Sequence, residues 1–118
     1  MTDASDCIFC KIVRKEIPAR EVMRDDHVVA FQDLNPQAPS HVLVVPVLHA
    51  EHLSEFNAKA SAEQKARLLS AAAEVGGRFQ REGAGYRVVV NEGPDGGQTV
   101  SHLHLHVLAG RHMTWPPG

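Results

Sequence analysis

Residues 101–108 constrain the fold more than any other part of the chain, because polar and apolar residues alternate without a break from His102 to Val107. The segment reads Ser-His-Leu-His-Leu-His-Val-Leu. On a β-strand successive side chains point to opposite faces, so His102, His104 and His106 would share one face, about 6.5–7 Å apart. We therefore predict a strand over residues 102–109. Since any polar residue would serve on a solvated sheet face, three aligned histidines indicate a functional site.

Two kinds of chemistry suit this row of histidines. A His-x-His pair on a strand can bind zinc with a third ligand from elsewhere. Alternatively, a neutral histidine acts as a nucleophile while a second one orients it and handles protons. The preceding loop, residues 91–99, contains three glycines that let backbone N–H groups approach an anion, and Gln98 and Thr99 add side-chain donors. A glycine-rich loop beside a nucleophile indicates a phosphate held for attack.

The two cysteines, Cys7 and Cys10, form a Cys-x-x-Cys pair that has three interpretations. A thioredoxin-like redox pair follows a strand, and no strand precedes this one. Half of a zinc site needs two further ligands, which the eight histidines of the chain could supply. The third interpretation is two small apolar residues flanking Ile8 and Phe9. The residues alone leave the zinc site and the apolar pair open.

The remaining sequence predicts an α+β domain with an antiparallel sheet, because strands flank one long amphipathic helix. That helix covers residues 61–82, and Ser61 with Gln64 matches a capping box at its start. The pair Gly76-Gly77 permits close packing against a neighbour. The other expected elements are a short helix at 7–14, a hairpin of strands 21–24 and 28–32 around a turn at 25–27, a buried strand at 41–46 and a strand at 86–91.

Composition excludes several classes of function. A chain of 118 residues is the size of one domain. Twelve basic against fourteen acidic residues, with no basic run, argue against non-specific nucleic-acid binding. The apolar runs are too short for a membrane helix, which excludes a membrane protein of that kind. The N-terminus is polar and acidic, unlike a signal peptide, so we expect a cytoplasmic protein.

The chain resembles the histidine triad (HIT) family, and within it the Hint branch. The pattern His-φ-His-φ-His-φ-φ, with φ apolar, is met by residues 102–108, and the resemblance extends over residues 7–118. The further matching segments are Ile8-Phe-Cys-Lys-Ile12, Arg14-Lys-Glu-Ile-Pro18, Phe31-Gln-Asp-Leu-Asn-Pro-Gln-Ala-Pro39, Val89-Val-Asn-Glu-Gly93, Asp95-Gly-Gly-Gln98 and Trp115-Pro-Pro-Gly118.

The resemblance implies a fold and an assembly. The expected fold is HIT-like, a five-stranded antiparallel sheet with one long and one short helix. Two subunits would join their sheets into one of ten strands, as a homodimer with the helix at 61–82 and the strand at 86–91 at the interface. We expect a single HIT domain over residues 1–118, with residues 1–6 flexible and residues 111–118 forming a C-terminal tail.

The resemblance also implies an activity, that of a purine nucleoside phosphoramidase. Such an enzyme hydrolyses adenosine 5′-monophosphoramidate and AMP linked to a lysine amine, through a nucleotidyl-histidine intermediate. It binds purine nucleotides such as AMP and GMP and needs no organic cofactor. Two alternatives are a dinucleoside polyphosphate hydrolase of the Fhit branch and a non-catalytic scaffold that binds purine nucleotides.

By the same resemblance, His104 is the expected nucleophile, His106 contacts the phosphate oxygens and Thr99 lies at the leaving group. Asp33 is expected to bind the ribose hydroxyls, and Trp115 to reach the neighbouring subunit's site. The remaining expected nucleotide-binding residues are Asn91, Gly97 and Gln98 around the phosphate, and Phe9, Ile12, Phe31 and Leu34 around the purine.

The resemblance finally bears on the cysteine pair. In some relatives the zinc ligands match Cys7, Cys10, His49 and His102, a Cys2His2 set with no open position and therefore a structural role. The competing expectation leaves His49 and His102 metal-free and hydrogen-bonded behind His104.

Overall fold

The computed structural model describes residues 6–118 and contains five strands and four helices in that part of the chain. The expected flexibility of residues 1–6 lies, except for Asp6, outside the described residues. No helix in this part is long and apolar enough to cross a membrane. In chain order the elements are α1 (Ile8–Val13), β1 (Glu21–Arg24), β2 (Val28–Gln32), β3 (Ser40–Pro46), α2 (Leu53–Lys59), α3 (Ala62–Phe79), β4 (Tyr86–Val90), α4 (Gly93–Gly96) and β5 (Leu105–Ala109).

All five strands form one antiparallel sheet in the order β1-β2-β3-β5-β4. The predicted five-stranded antiparallel sheet is therefore confirmed. α3 packs on one face of the sheet and α1 on the other. The face toward α3 buries Val28, Ala30, Val42, Val44, Leu105 and Val107. The face toward α1 buries Val29, Phe31, Leu43 and Val45 beneath Phe9, Cys10 and Ile12.

The long helix forms as predicted at its start. The Ser61 hydroxyl accepts from the Gln64 N–H and the Gln64 side chain accepts from the Ser61 N–H, so the capping box is present. The helix ends at Phe79 rather than at 82, because Gln80 is extended. A Cβ on Gly76 would lie 2.3 Å from the Tyr86 ring, so this glycine permits the close approach of β4.

The predicted strand at 102–109 was too long, since β5 begins only at Leu105. The β3–β5 ladder runs from Ser40↔Ala109 to Val44↔Leu105. Continuing it would bring Pro46, which has no N–H to donate, opposite residue 103. The chain turns away instead, and the Leu103 N–H donates to the Ala50 carbonyl. Two short helices, α2 and α4, were also not predicted.

Candidate functional site

The histidine row lies at the start of β5, beside a cavity on the sheet face that carries α1. His106 is in register with Leu43 of β3. The cavity measures about 250 Å³, and His104 and His106 line it from below. Predicted site residues from four other parts of the chain also line it, namely Phe9, Ile12, Phe31, Asp33, Leu34 and Thr99. The structure therefore brings eight of the predicted residues together around one space.

The protonation of His104 follows from its hydrogen bond to the main chain. Its Nδ1 lies 2.7 Å from the carbonyl oxygen of His102. Because a carbonyl only accepts, Nδ1 carries the hydrogen and Nε2 of a neutral ring keeps its lone pair. The ring is 5% exposed and packs edge-on against Phe9 and His106, with centroids 5.2 and 4.9 Å away. The site thus holds one buried imidazole whose Nδ1–H is fixed by the main chain.

His41 is a site residue that the sequence analysis missed. The Gln37 N–H donates to its Nδ1 at 3.0 Å, so Nε2 of the neutral ring carries the hydrogen. That Nε2 lies 2.9 Å from Nδ1 of His106 and 3.4 Å from a carboxylate oxygen of Asp33. Nδ1 of His106 therefore accepts, and Nε2 of His106 is left as a donor. The sequence does contain a signal for His41, because this histidine begins an apolar strand. A buried histidine there needs a hydrogen-bond partner.

Burial keeps the rings of His41 and His106 neutral. It lowers the pKa of His106 to about 4, and the neighbouring His104 and His41 act in the same direction. Burial also lowers the pKa of His41, while the Asp33 carboxylate opposes it. At neutral pH both rings are therefore uncharged, as the chain of donors and acceptors from Gln37 to His106 requires.

The glycine-rich loop is held by its own side chains. The Gln98 amide donates to the carbonyls of Glu51 and Val100, and its oxygen accepts from the Gly93 N–H. The Glu92 carboxylate accepts from the N–H and hydroxyl of Ser54. Gln98 thus fixes the loop through main-chain contacts instead of pointing its amide into the cavity.

Four of the predicted nucleotide-binding residues do not line the cavity, namely Asn91, Gly97, Gln98 and Trp115. Gly97 ends α4 in the left-handed region, with φ of 78° that favours glycine. Trp115 is 81% exposed, and the Arg87 guanidinium lies 6.0 Å from its ring centroid. Within one chain, the tail therefore stays outside this space.

A cluster of four potential metal ligands includes His102, the first histidine of the row. The donor atoms of Cys7, Cys10, His49 and His102 all lie within 4.8 Å of one another. His102 Nδ1 is 3.2 Å from Cys7 Sγ and 3.2 Å from His49 Nδ1, and His49 Nδ1 is 3.2 Å from Cys10 Sγ. Tetrahedral zinc, with bonds of about 2.0–2.3 Å, spaces its ligand atoms about 3.3–3.8 Å apart. The observed spacing is close to this range.

The chemistry of the donors also fits a metal ion. His102 Nε2 donates to the Pro46 carbonyl at 2.9 Å, which leaves the Nδ1 lone pair directed into the cluster. Burial lowers the pKa of His102 to about 4, so this ring is neutral. Burial raises the pKa of the Cys10 thiol, and a cation would supply the charge that lets it ionise. The four residues therefore fit zinc, with a closed ligand set that would cross-link the start of α1 to the segments after β3 and before β5.

Comparison with known proteins finds HIT proteins, two of them described as zinc-binding or zinc-bound. The family model described as HIT domain matches residues 14–113. A 14 kDa zinc-binding protein of Zea mays is 43% identical over 116 residues, covering 98% of this chain and 91% of that protein. A HIT family hydrolase of Legionella pneumophila matches with a TM-score of 0.88 at 44% identity, covering 95% and 99% of the two chains. A zinc-bound histidine triad family protein of Mycobacterium smegmatis matches with a TM-score of 0.78 at 28% identity, covering 92% and 78%.

The donor geometry predicts the zinc content of the protein. Protein purified without a chelator or a histidine tag should contain about one zinc per chain, measured by elemental mass spectrometry. The variant Cys7→Ser/Cys10→Ser should lose it, because two of the four donors are gone. His112→Ala is the matched control and should keep the metal, since this exposed histidine lies outside the cluster. Wild-type protein that is metal-free at full stability would contradict the assignment.

The hydrogen bonds of His41 predict the tautomer of His106. In His41→Ala the donor to His106 Nδ1 is lost, so the His106 ring should populate both neutral tautomers. ¹⁵N-histidine NMR at about pH 8, where histidine is neutral, distinguishes the two nitrogens. His41→Gln should restore the single tautomer, because its amide N–H can donate in place of Nε2. An unchanged His106 spectrum in His41→Ala would show that His41 does not orient it.

Proposed function

Because this chain belongs to the HIT family, we propose that it is a purine nucleotide-binding hydrolase of the Hint branch that cleaves the phosphorus–nitrogen bond of nucleoside phosphoramidates. Adenosine 5′-monophosphoramidate and AMP joined to a lysine amine are the proposed substrates. The observation that carries the proposal is the buried His104 ring, whose Nδ1–H is held by the His102 carbonyl and which lines the cavity next to the His106 ring.

The cavity supports the binding of a purine nucleotide. Phe9, Ile12 and Phe31 form an apolar end that suits a purine ring. Leu34 is 96% exposed, and such an exposed apolar side chain at a cavity mouth gains burial when a base covers it. Asp33 lines the same cavity, and its carboxylate can accept from the two ribose hydroxyls. The nucleotide then places its phosphate over His104 and His106.

The first step is proposed as attack by His104 Nε2 on phosphorus. A neutral nitrogen approaches the anionic phosphate without charge repulsion. The Nε2–phosphorus bond forms and the phosphorus–amine bond breaks. The amine leaves with one proton that is taken from solvent water and passed through the Thr99 hydroxyl. The ring becomes positively charged, and its Nδ1–H···O=C bond to His102 strengthens at that moment. Nε2–H of His106 donates to the phosphate oxygens where negative charge develops.

The second step regenerates the enzyme. Water attacks phosphorus, the Nε2–phosphorus bond breaks, and the electron pair returns to His104. One proton of that water is released to solvent, and AMP leaves. Thr99, at the end of the glycine-rich loop, lines the cavity and takes part in the first step, while Gln98 keeps the loop in shape.

Removal of the nucleophile tests the proposed activity. His104→Ala should lower the turnover of adenosine 5′-monophosphoramidate by roughly 10³-fold or more, while the dissociation constant for AMP changes little. The measurements are amine release and calorimetric titration with AMP. Turnover that is close to wild type in this variant would refute the role of His104.

A substrate panel separates the proposal from its two alternatives. The wild-type enzyme should have a higher kcat/KM for the phosphoramidate than for a dinucleoside polyphosphate. The opposite preference would favour the Fhit-branch activity. AMP binding without turnover of either substrate would favour the non-catalytic scaffold.

A homodimer and a cytoplasmic location complete the proposal. β4 is an edge strand, and its alternate residues Tyr86, Val88 and Val90 are 37–39% exposed. An edge with apolar side chains is a surface for pairing with a second copy. Trp115, exposed beside this strand, would then reach the neighbouring subunit's site. The free thiols of Cys7 and Cys10 suit the reducing cytoplasm.

A charge on the edge strand tests the dimer. Sedimentation at micromolar concentration should show a dimer for the wild type. Val88→Lys should shift it to a monomer, because pairing would bury the ammonium group. Val88→Ile is the matched control and should remain a dimer. A monomeric wild type would contradict the assembly.

A further inference from the structure

His102 belongs to two groups of residues at once, the metal-binding cluster and the histidine row. From this overlap we propose that the cluster of Cys7, Cys10, His49 and His102 positions the nucleophile. When a shared cation joins its four ligand atoms, the cluster fixes the main-chain carbonyl of His102 and the ring of Phe9. These two groups hold His104 in one tautomer and one orientation. The catalytic consequence rests on the proposed function, whereas the effect on the His104 ring does not.

The first contact between the two groups is the main chain of His102. Its side chain is fully buried and is held at both ring nitrogens, by the cluster at Nδ1 and by the Pro46 carbonyl at Nε2. The next residue, Leu103, is tied to the Ala50 carbonyl. The carbonyl of His102 is therefore placed by the cluster, and it lies 2.7 Å from Nδ1 of His104. Among the described residues, the His104 ring has no second hydrogen-bond partner.

The second contact is Phe9, which lies between the two cysteines in α1. Its ring packs edge-on against His104 and His102, with centroids 5.2 and 5.9 Å away. α1 has only six residues, and a helix of that length is not stable by itself. Cys7 caps it, since its sulfur accepts from the Cys10 N–H. The cysteines that fix α1 therefore also fix the aromatic wall of the nucleophile.

The cluster has a specific weakness without a shared cation. Two sulfurs and two ring nitrogens lie within 3.2–3.5 Å of one another, and the His102 nitrogen already has its hydrogen on the opposite side. The buried His49 Nε2 has no hydrogen-bond partner in the described part of the chain. Without a cation only weak thiol hydrogen bonds hold these atoms together, so we expect them to separate and the His102 carbonyl and Phe9 to move with them. Loss of one hydrogen bond changes a tautomer ratio by roughly tenfold.

The test compares the His104 ring with and without the metal, in the absence of substrate. ¹⁵N-histidine spectra are recorded for zinc-loaded, metal-stripped and zinc-restored wild-type protein, and His104→Ala assigns the signals. We expect a single Nδ1–H tautomer for loaded protein, a roughly tenfold increase of the Nε2–H tautomer on stripping, and recovery on adding zinc. Circular dichroism verifies that the stripped protein is folded. A folded, metal-stripped protein with an unchanged His104 tautomer would overturn the proposal.

A second variant covers the case in which the stripped protein unfolds. His49→Gln removes one donor, and its cost to the fold is small because this side chain is only partly buried and its Nε2 is unpaired. We expect weaker zinc retention and a mixed His104 tautomer, and a single tautomer in metal-depleted, folded His49→Gln would contradict the proposal.

Turnover of the phosphoramidate is measured separately from the His104 tautomer. If the tautomer responds to the metal but loaded enzyme does not turn over phosphoramidate, the proposed function fails and the positioning role remains. If loaded enzyme is active and the tautomer is unaffected, the positioning role fails alone.

Discussion

The hydrogen bond from His104 Nδ1 to the His102 carbonyl is the interaction on which the site depends. It exists because the sheet ends at Leu105, so the backbone at residues 102–104 is released from the strand ladder. In a continued ladder that carbonyl would either pair with β3 or point away from the ring. A proline at the end of β3 therefore helps to determine the chemistry of a histidine on β5.

Contacts between segments also determine the state of His106, which lines the cavity, and of its neighbour His41. One amide, that of Gln37, fixes His41, and His41 fixes His106. Burial keeps His41 and His106 neutral, so these assignments hold at neutral pH. The site consequently presents a donor at His106 next to the His104 ring. This combination suits the proposed attack on an anion, because the donor would stabilise the negative charge that forms.

The sequence predicts the fold class, because alternation and helical periodicity are local signals of burial. The capping box at Ser61 and Gln64 is equally local and is confirmed. α2 was missed because His52, an uncommon N-cap residue, begins it. The strand at 102–109 was too long because the limit is set by Pro46, a residue more than fifty positions away. Local patterns do not contain that contact.

The candidate site shows the same contrast between local sequence patterns and contacts of distant residues. The cluster of Cys7, Cys10, His49 and His102 was available through the resemblance, and the structure brings these donors together. The three histidines were visible as a row, but their tautomers depend on partners from other elements. His41 was hidden in an apolar run, and the structural use of Gln98 depends on the carbonyl of Glu51. Contacts of this kind between distant segments require the folded chain.

The most direct test of the central claim is detection of the covalent intermediate. Wild-type enzyme is mixed with adenosine 5′-monophosphoramidate, quenched with base during turnover, and analysed by intact-mass and peptide mass spectrometry. The tautomer of His104 predicts a mass increase of one adenylyl group on the peptide that contains His104, attached at that residue. Turnover without an adduct, or an adduct on His106 or Thr99 instead, would contradict the account.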